Sequence, residues 1–183
     1  MALTYSEMIP LDSKAKPFSL RGTDGKTYSL EQFKNAQAFV IIFLCNHCPY
    51  VKAVEDRIGK LASEFQSRNV QFLGICSNDQ NDYPEDSTEN LVAQAARAGF
   101  AFPYLIDETQ EVAKNYGAVC TPDFFVFDSA KKLQYRGRLD DSWKDAAKVT
   151  SEDLKKALEA IVAGNPVSKN QLPAMGCSIK WSK

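Results

Sequence analysis

Residues 38–44, Ala-Phe-Val-Ile-Ile-Phe-Leu, form an unbroken apolar run with no polar alternation. Such a run predicts a strand buried on both faces at the centre of a sheet. Downstream, Val54, Ile58, Leu61 and Phe65 recur at i, i+4, i+7 and i+11, the stripe of an amphipathic helix. Val70–Cys76 is a second apolar strand. Strand, helix and strand of these lengths predict a right-handed βαβ crossover with parallel strands. Two hairpins are expected around this unit, one pairing residues 18–20 with 27–30 across an Asp-Gly turn, the other pairing 124–127 with 133–136. Short helices are expected at 31–34, at 88–98 and at 110–116, the last between a Thr109 cap and Gly117. A final helix starts at a Thr150 or Ser151 cap, carries Leu154, Ala157, Leu158, Ile161 and Val162 inward, and stops at Gly164. Residues 77–86 read as a polar loop and 165–183 as an irregular tail.

The order describes an α/β fold, a mixed sheet of four or five strands with helices on both faces. One domain, residues 1–183, is expected, with an N-terminal extension and hairpin over about 1–36.

Composition narrows the function. The net charge is −1 and no block of like charge appears, so neither nucleic acid nor an acidic membrane surface is an expected partner. The longest apolar run is too short to cross a bilayer. The N-terminus lacks a basic stretch followed by an apolar core, so a cytoplasmic protein or a trimmed chain is expected. Five cysteines in 183 residues, an odd number, suggest thiols with one functional pair rather than a structural framework.

That pair is Cys45-Asn46-His47-Cys48, where the central strand gives way to a helix. Residues i and i+3 of a helix have Cα atoms about 5 Å apart, inside the span of a disulfide. Unpaired N–H groups at a helix start favour a thiolate, and CxxC thiols there have pKa values of roughly 3.5–7.5. Cys45, nearer the solvent at the helix mouth, is the expected nucleophile, and Cys48, more buried, the resolving thiol. Pro49 sits in the first turn, where its missing N–H costs nothing. His47 is expected to face solvent and, when cationic, to stabilise the thiolate. A CxxC can also be half of a zinc site, but no second CxxC follows, and adjacent His47 and Cys48 do not readily converge on one ion with Cys45. Neither a metal nor an organic cofactor is expected.

The parallel strands end at Cys45 and Cys76, and Cys120-Thr121-Pro122 precedes the second hairpin, so four cysteines are expected near one rim. Cys76 reads as a small buried hydrophobe, and Cys120 as a candidate extra thiol. A cis Pro122 would turn the Thr121 backbone toward Cys45, to pair with an extended substrate segment. The acidic stretch Asp79, Asn81, Asp82, Glu85, Asp86 and Glu89 lacks the glycine and alternation of a calcium loop and reads as a solvated loop. Residues 136–141 read as a surface turn. Ile179 and Trp181 are expected to lie against the body, and Cys177 to cover apolar surface rather than act as a third redox thiol.

Together these residues resemble the thioredoxin superfamily. The stretches around Phe18-Ser19-Leu20, Asn46-His47-Cys48-Pro49-Tyr50-Val51, Pro103-Tyr104-Leu105-Ile106-Asp107 and Thr121-Pro122-Asp123-Phe124 are most similar to peroxiredoxin-like redoxins of the alkyl hydroperoxide reductase/thiol-specific antioxidant branch. The resemblance implies a thioredoxin fold, Cys45 and Cys48 as the redox pair, and Pro122 as a cis-proline. It implies thiol–disulfide exchange on protein or small-thiol substrates, with electrons from a reducing partner. Two departures stand out. The strand before the motif lacks the buried aspartate of thioredoxins. Ile42 stands three residues before Cys45, where peroxiredoxins place a threonine, which weighs against direct peroxide reduction. A thiol peroxidase and a redox-inert binding module are the alternatives.

Overall fold

The computed structural model describes residues 3–183. Its strands are β1 (Leu3–Tyr5), β2 (Leu20–Gly22), β3 (Thr27–Tyr28), β4 (Ala38–Phe43), β5 (Val70–Cys76), β6 (Tyr104–Ile106), β7 (Cys120–Thr121), β8 (Asp123–Asp128), β9 (Leu133–Gly137) and β10 (Met175–Ser178). Its α-helices are α1 (Pro49–Lys52), α2 (Glu55–Gln66), α3 (Thr88–Ala98), α4 (Glu111–Tyr116) and α5 (Asp153–Val162). A 3-10 turn, Leu30–Phe33, fills the expected helical turn near the N-terminus.

Seven strands make one mixed sheet in the order β3-β2-β6-β5-β4-β8-β9. β4 lies near its middle, parallel to β5 and antiparallel to β8, as its uninterrupted apolar run requires. Every β4 residue is buried. Phe39, Ile41 and Phe43 pack with Tyr116, Phe125 and Phe127 on one face. Val40 and Ile42, with Leu44 beyond the strand, pack with Ile58, Phe65 and Leu158 on the other. Each such side chain contributes roughly 1.5–3 kcal/mol by leaving water. The sheet is larger than the four or five strands expected, because β6 is three residues long and too short to show a period.

The helix after the CxxC is broken. α1 begins at Pro49 with Cys48 as its N-cap, and the chain resets at Val54 before α2 starts. Gln110, which takes a left-handed backbone, immediately precedes α4, while Thr109 Oγ1 accepts from the Glu111 N–H at 3.4 Å; α5 follows Glu152 rather than Thr150 or Ser151. Among the described residues no helix is long and apolar enough to cross a membrane.

The larger correction concerns the tail. Residues 175–178 form β10, the middle strand of a second, three-stranded sheet, β1-β10-β7. Cys177 stands opposite Leu3 on one side and Thr121 on the other. The segment, Met-Gly-Cys-Ser, is too short to show an alternation. Ile179 is buried as expected, but Trp181 is 39% exposed, with the Lys114 ammonium 5.6 Å from its ring centroid. Arg136, expected on a surface turn, is fully buried in an ion pair with Asp123 at 3.0 Å and lies over the Phe125 ring.

Gly176 permits this docking. A Cβ there would meet the Thr121 carbonyl oxygen at 1.9 Å, a rigid backbone neighbour. Gly176→Ala is therefore expected to cost about 1–3 kcal/mol or more, as overpacking does. A lowered urea midpoint checks this; an unchanged midpoint would contradict the close fit of β10 on β7.

Candidate active site

Cys45 leaves the end of β4 and Cys48 caps α1, with Pro49 at the first helical position. The Thr121–Pro122 peptide is cis. It brings Thr121 against both sulfurs: Cys45 Sγ lies 3.4 Å from Thr121 Oγ1, and Cys48 Sγ lies 3.2 Å from the Thr121 carbonyl oxygen. Both cysteines are fully buried, whereas Cys45 was expected near solvent. β10 sits on the outer side of β7 and packs on α1. The edge expected to receive a substrate strand is thus paired with the chain's own C-terminal strand.

The charge also sits differently from expectation. Cys48 is brought down to about 5, chiefly by a hydrogen bond from the Cys45 thiol, against the opposing effect of burial, with further donation from Cys177, the Val51 N–H and the Thr121 hydroxyl. Cys45 is pushed well up by burial, by donating to Cys48 and by the Asp86 carboxylate beside it. The helix starts at Pro49, so its first N–H groups face Cys48 and not Cys45. The contact at 3.2 Å to the Thr121 carbonyl suits only a protonated Cys48; as a thiolate, Cys48 accepts from the thiols and from the Thr121 hydroxyl instead. The two thiols interact, so they titrate as a pair rather than singly.

A carboxylate clamps the intervening dipeptide. Asp86 Oδ1 accepts from the backbone N–H groups of Asn46 and His47 at 2.7 and 3.0 Å. Asp86 Oδ2 lies 2.6 Å from His47 Nδ1 and accepts from Asn78 Nδ2 at 2.8 Å. Burial opposes ionisation of Asp86, but the bonds from His47 and Asn78 outweigh it and hold the carboxyl below its usual range. Asp86 was read as part of a solvated acidic loop, yet it is fully buried, because a 3-10 turn at Pro84–Asp86 folds it under the CxxC loop. His47, expected to face solvent, is mostly covered and stacks on Tyr83. Asn46 is held by the Glu85 carbonyl and by Arg97. The Cys45 carbonyl accepts from Gln94, which also binds Glu55 and Tyr104.

Among the described residues, Cys45 Sγ, a His47 ring nitrogen and an Asp86 oxygen lie within 4.8 Å of one another. That is a set of metal-ligating types which the sequence reading did not assemble. It has one donor fewer than a structural zinc site, and His47 Nδ1 is already engaged by Asp86.

Cys76 is buried as expected, and burial raises its thiol. Cys120 is likewise buried and raised, beside Asp123. Cys177, expected only to cover apolar surface, reaches the dithiol. Asp86, Gln94 and Glu55 were missed. Glu55 alone carried a signal, a charge next to the apolar stripe of α2. Beside Pro122 a cavity of about 250 Å³ opens between Tyr50, Phe124, Leu139, Trp143 and Leu172.

A model of the AhpC/TSA family matches residues 11–136. The chain belongs to the AhpC/TSA family. This redoxin superposes on a conserved protein from Geobacillus kaustophilus with a TM-score of 0.94 and 48% identity, over 100% of this chain and 97% of that one. The thiol-disulfide oxidoreductase ResA of Geobacillus thermodenitrificans (strain NG80-2) is 23% identical over 158 residues, 86% of this chain and 82% of the relative. The thioredoxin domain of a thiol-disulfide oxidoreductase from Bacteroides vulgatus, 15% identical, superposes with a TM-score of 0.65 over 85% of this chain and 99% of that domain. The fold is therefore the thioredoxin-like α/β fold, with the small β1-β10-β7 sheet added.

The redoxin's thiolate ultraviolet absorbance is expected to rise with pH through a midpoint near 5 and to lose that step in Cys48→Ser. A first step at an ordinary thiol pKa, about 8.5, would contradict the hydrogen-bonded thiolate.

Proposed function

We propose that this redoxin is a thiol–disulfide oxidoreductase that cycles between a Cys45/Cys48 dithiol and a Cys45–Cys48 disulfide. One observation carries the reading: two thiols three residues apart lie against Thr121 at the cis-proline, Cys45 Sγ 3.4 Å from its hydroxyl and Cys48 Sγ 3.2 Å from its carbonyl oxygen. Cys45, on giving up its proton, is the attacking thiolate. Cys45 sulfur bonds one sulfur of a substrate disulfide and expels the other as a thiol. Cys48 then attacks Cys45, closes the intramolecular disulfide and releases the second substrate thiol. The substrate gains two electrons and the protein loses them; a dithiol reductant returns them.

The Asp86 clamp supports the same reading. It fixes Asn46 and His47 through their backbone, so the loop that joins the sulfurs is preorganised. The Tyr50–Trp143 cavity beside Pro122 would take an apolar side chain flanking the substrate cysteine. Ile42, buried in β4, offers no hydroxyl for peroxide, which favours disulfides over peroxides.

Trapping tests it. Cys48→Ala, offered disulfide-containing proteins or oxidised small thiols, is expected to retain them as mixed disulfides on Cys45 that a dithiol reductant releases. Peroxide consumption that survives Cys48→Ala with no trapped thiol would move the assignment to a thiol peroxidase. A wild-type dithiol that stays open under oxidant would leave a redox-inert binding module.

A further inference from the structure

The C-terminal strand contributes a sulfur to the redox centre. β10 is fixed against β7 in a register that sets Cys177 opposite Thr121, the residue that touches both Cys45 and Cys48. Gly176, just before it, leaves no room for a side chain at the Thr121 carbonyl, so the strand lies as close as backbone allows. From there the Cys177 thiol donates a hydrogen bond to Cys48 sulfur. Cys48 thus contacts two thiols, Cys45 from the loop and Cys177 from the tail.

We propose that Cys177 is a second resolving thiol, which takes over the disulfide by bonding to Cys48. The inference rests on the dithiol reading above and extends it by one step. Cys177, having given up its proton, attacks the Cys48 sulfur of the Cys45–Cys48 disulfide. The Cys48–Cys177 bond forms, the Cys45–Cys48 bond breaks, and Cys45 leaves as a thiolate that takes up a proton. One disulfide and one thiol stand on each side, so the step needs neither oxidant nor reductant.

The surroundings time the step. Burial, and then the bond to the Cys48 thiolate, hold the Cys177 thiol up at about 12. When Cys48 enters a disulfide its negative charge is gone, while the Lys180 ammonium that favours a Cys177 thiolate remains. Cys177 is therefore quiet in the dithiol form and freer to ionise in the disulfide form. The outcome is a Cys45 restored to its thiol while the oxidising equivalent moves into the tail strand. Cys120, in β7 opposite Ser178, is buried beside Asp123, which raises its thiol further, and takes no part.

Peptide mapping of the oxidised protein tests this. Wild type, Cys45→Ser, Cys48→Ser and Cys177→Ser are treated with diamide, alkylated under denaturing conditions and digested without reductant. Cys45→Ser is expected to lose alkylation at Cys48 and Cys177 together and to yield a peptide pair joined through them within one chain. Cys48→Ser is expected to yield no such pair, and partly oxidised wild type to contain both the Cys45–Cys48 and the Cys48–Cys177 isomers. The wild-type readout needs no substitution, so a misfolded variant does not blunt the test. A wild type that forms only Cys45–Cys48, with Cys177 fully alkylated there and in Cys45→Ser, would overturn the third thiol and leave the dithiol reading standing. A wild type that forms neither bond would overturn both.

Discussion

A sulfur buried among hydrogen-bond donors, that of Cys48, is the feature on which the rest of this site depends, and those donors lower its thiol. A buried anion survives only where donors surround it. Cys45, Cys177, the Val51 N–H and the Thr121 hydroxyl are those donors, drawn from a loop, the C-terminal strand, the first helical turn and the cis-proline strand. Segments far apart in sequence converge on one atom, and the β1-β10-β7 sheet is the device that brings two of them there. The helix start at Pro49 belongs to the same solution, since it places the Val51 N–H of the first turn at Cys48.

A buried carboxylate lies close by. Asp86 neutralises the exposed backbone of the CxxC loop, yet its charge disfavours a thiolate at Cys45. The carboxylate holds the loop through the N–H groups of Asn46 and His47, and Cys48 stands at the start of α1. The strand before the motif is wholly apolar, and the nearby carboxylate comes from the loop after β5.

Much of this was legible in the residues. The continuous apolar run at 38–44 located the central strand, because burial on both faces leaves no other pattern. The CxxC located the dithiol, and Pro122 the cis peptide. What escaped were features whose meaning depends on distant partners. Asp86 reads as one acid among several until a 3-10 turn buries it. Arg136 reads as surface until Asp123 and Phe125 enclose it. Residues 175–178, Met-Gly-Cys-Ser, are too few, and one of them lacks a side chain, for a strand period to show. The position of the charge escaped for a subtler reason. The spacing alone does not tell which cysteine precedes the helix, and a start three residues later moves it from Cys45 to Cys48.

The lid over the sulfurs has one more consequence. β10 follows every other element in chain order, so on the ribosome it is made after the rest of the fold is already available. Until β10 docks, β7 presents an unpaired edge, and Cys48 lacks the contact that Cys177 makes with it. Closure of the small sheet thus waits on a pairing between residues nearly a whole sequence apart, Leu3 and Cys177.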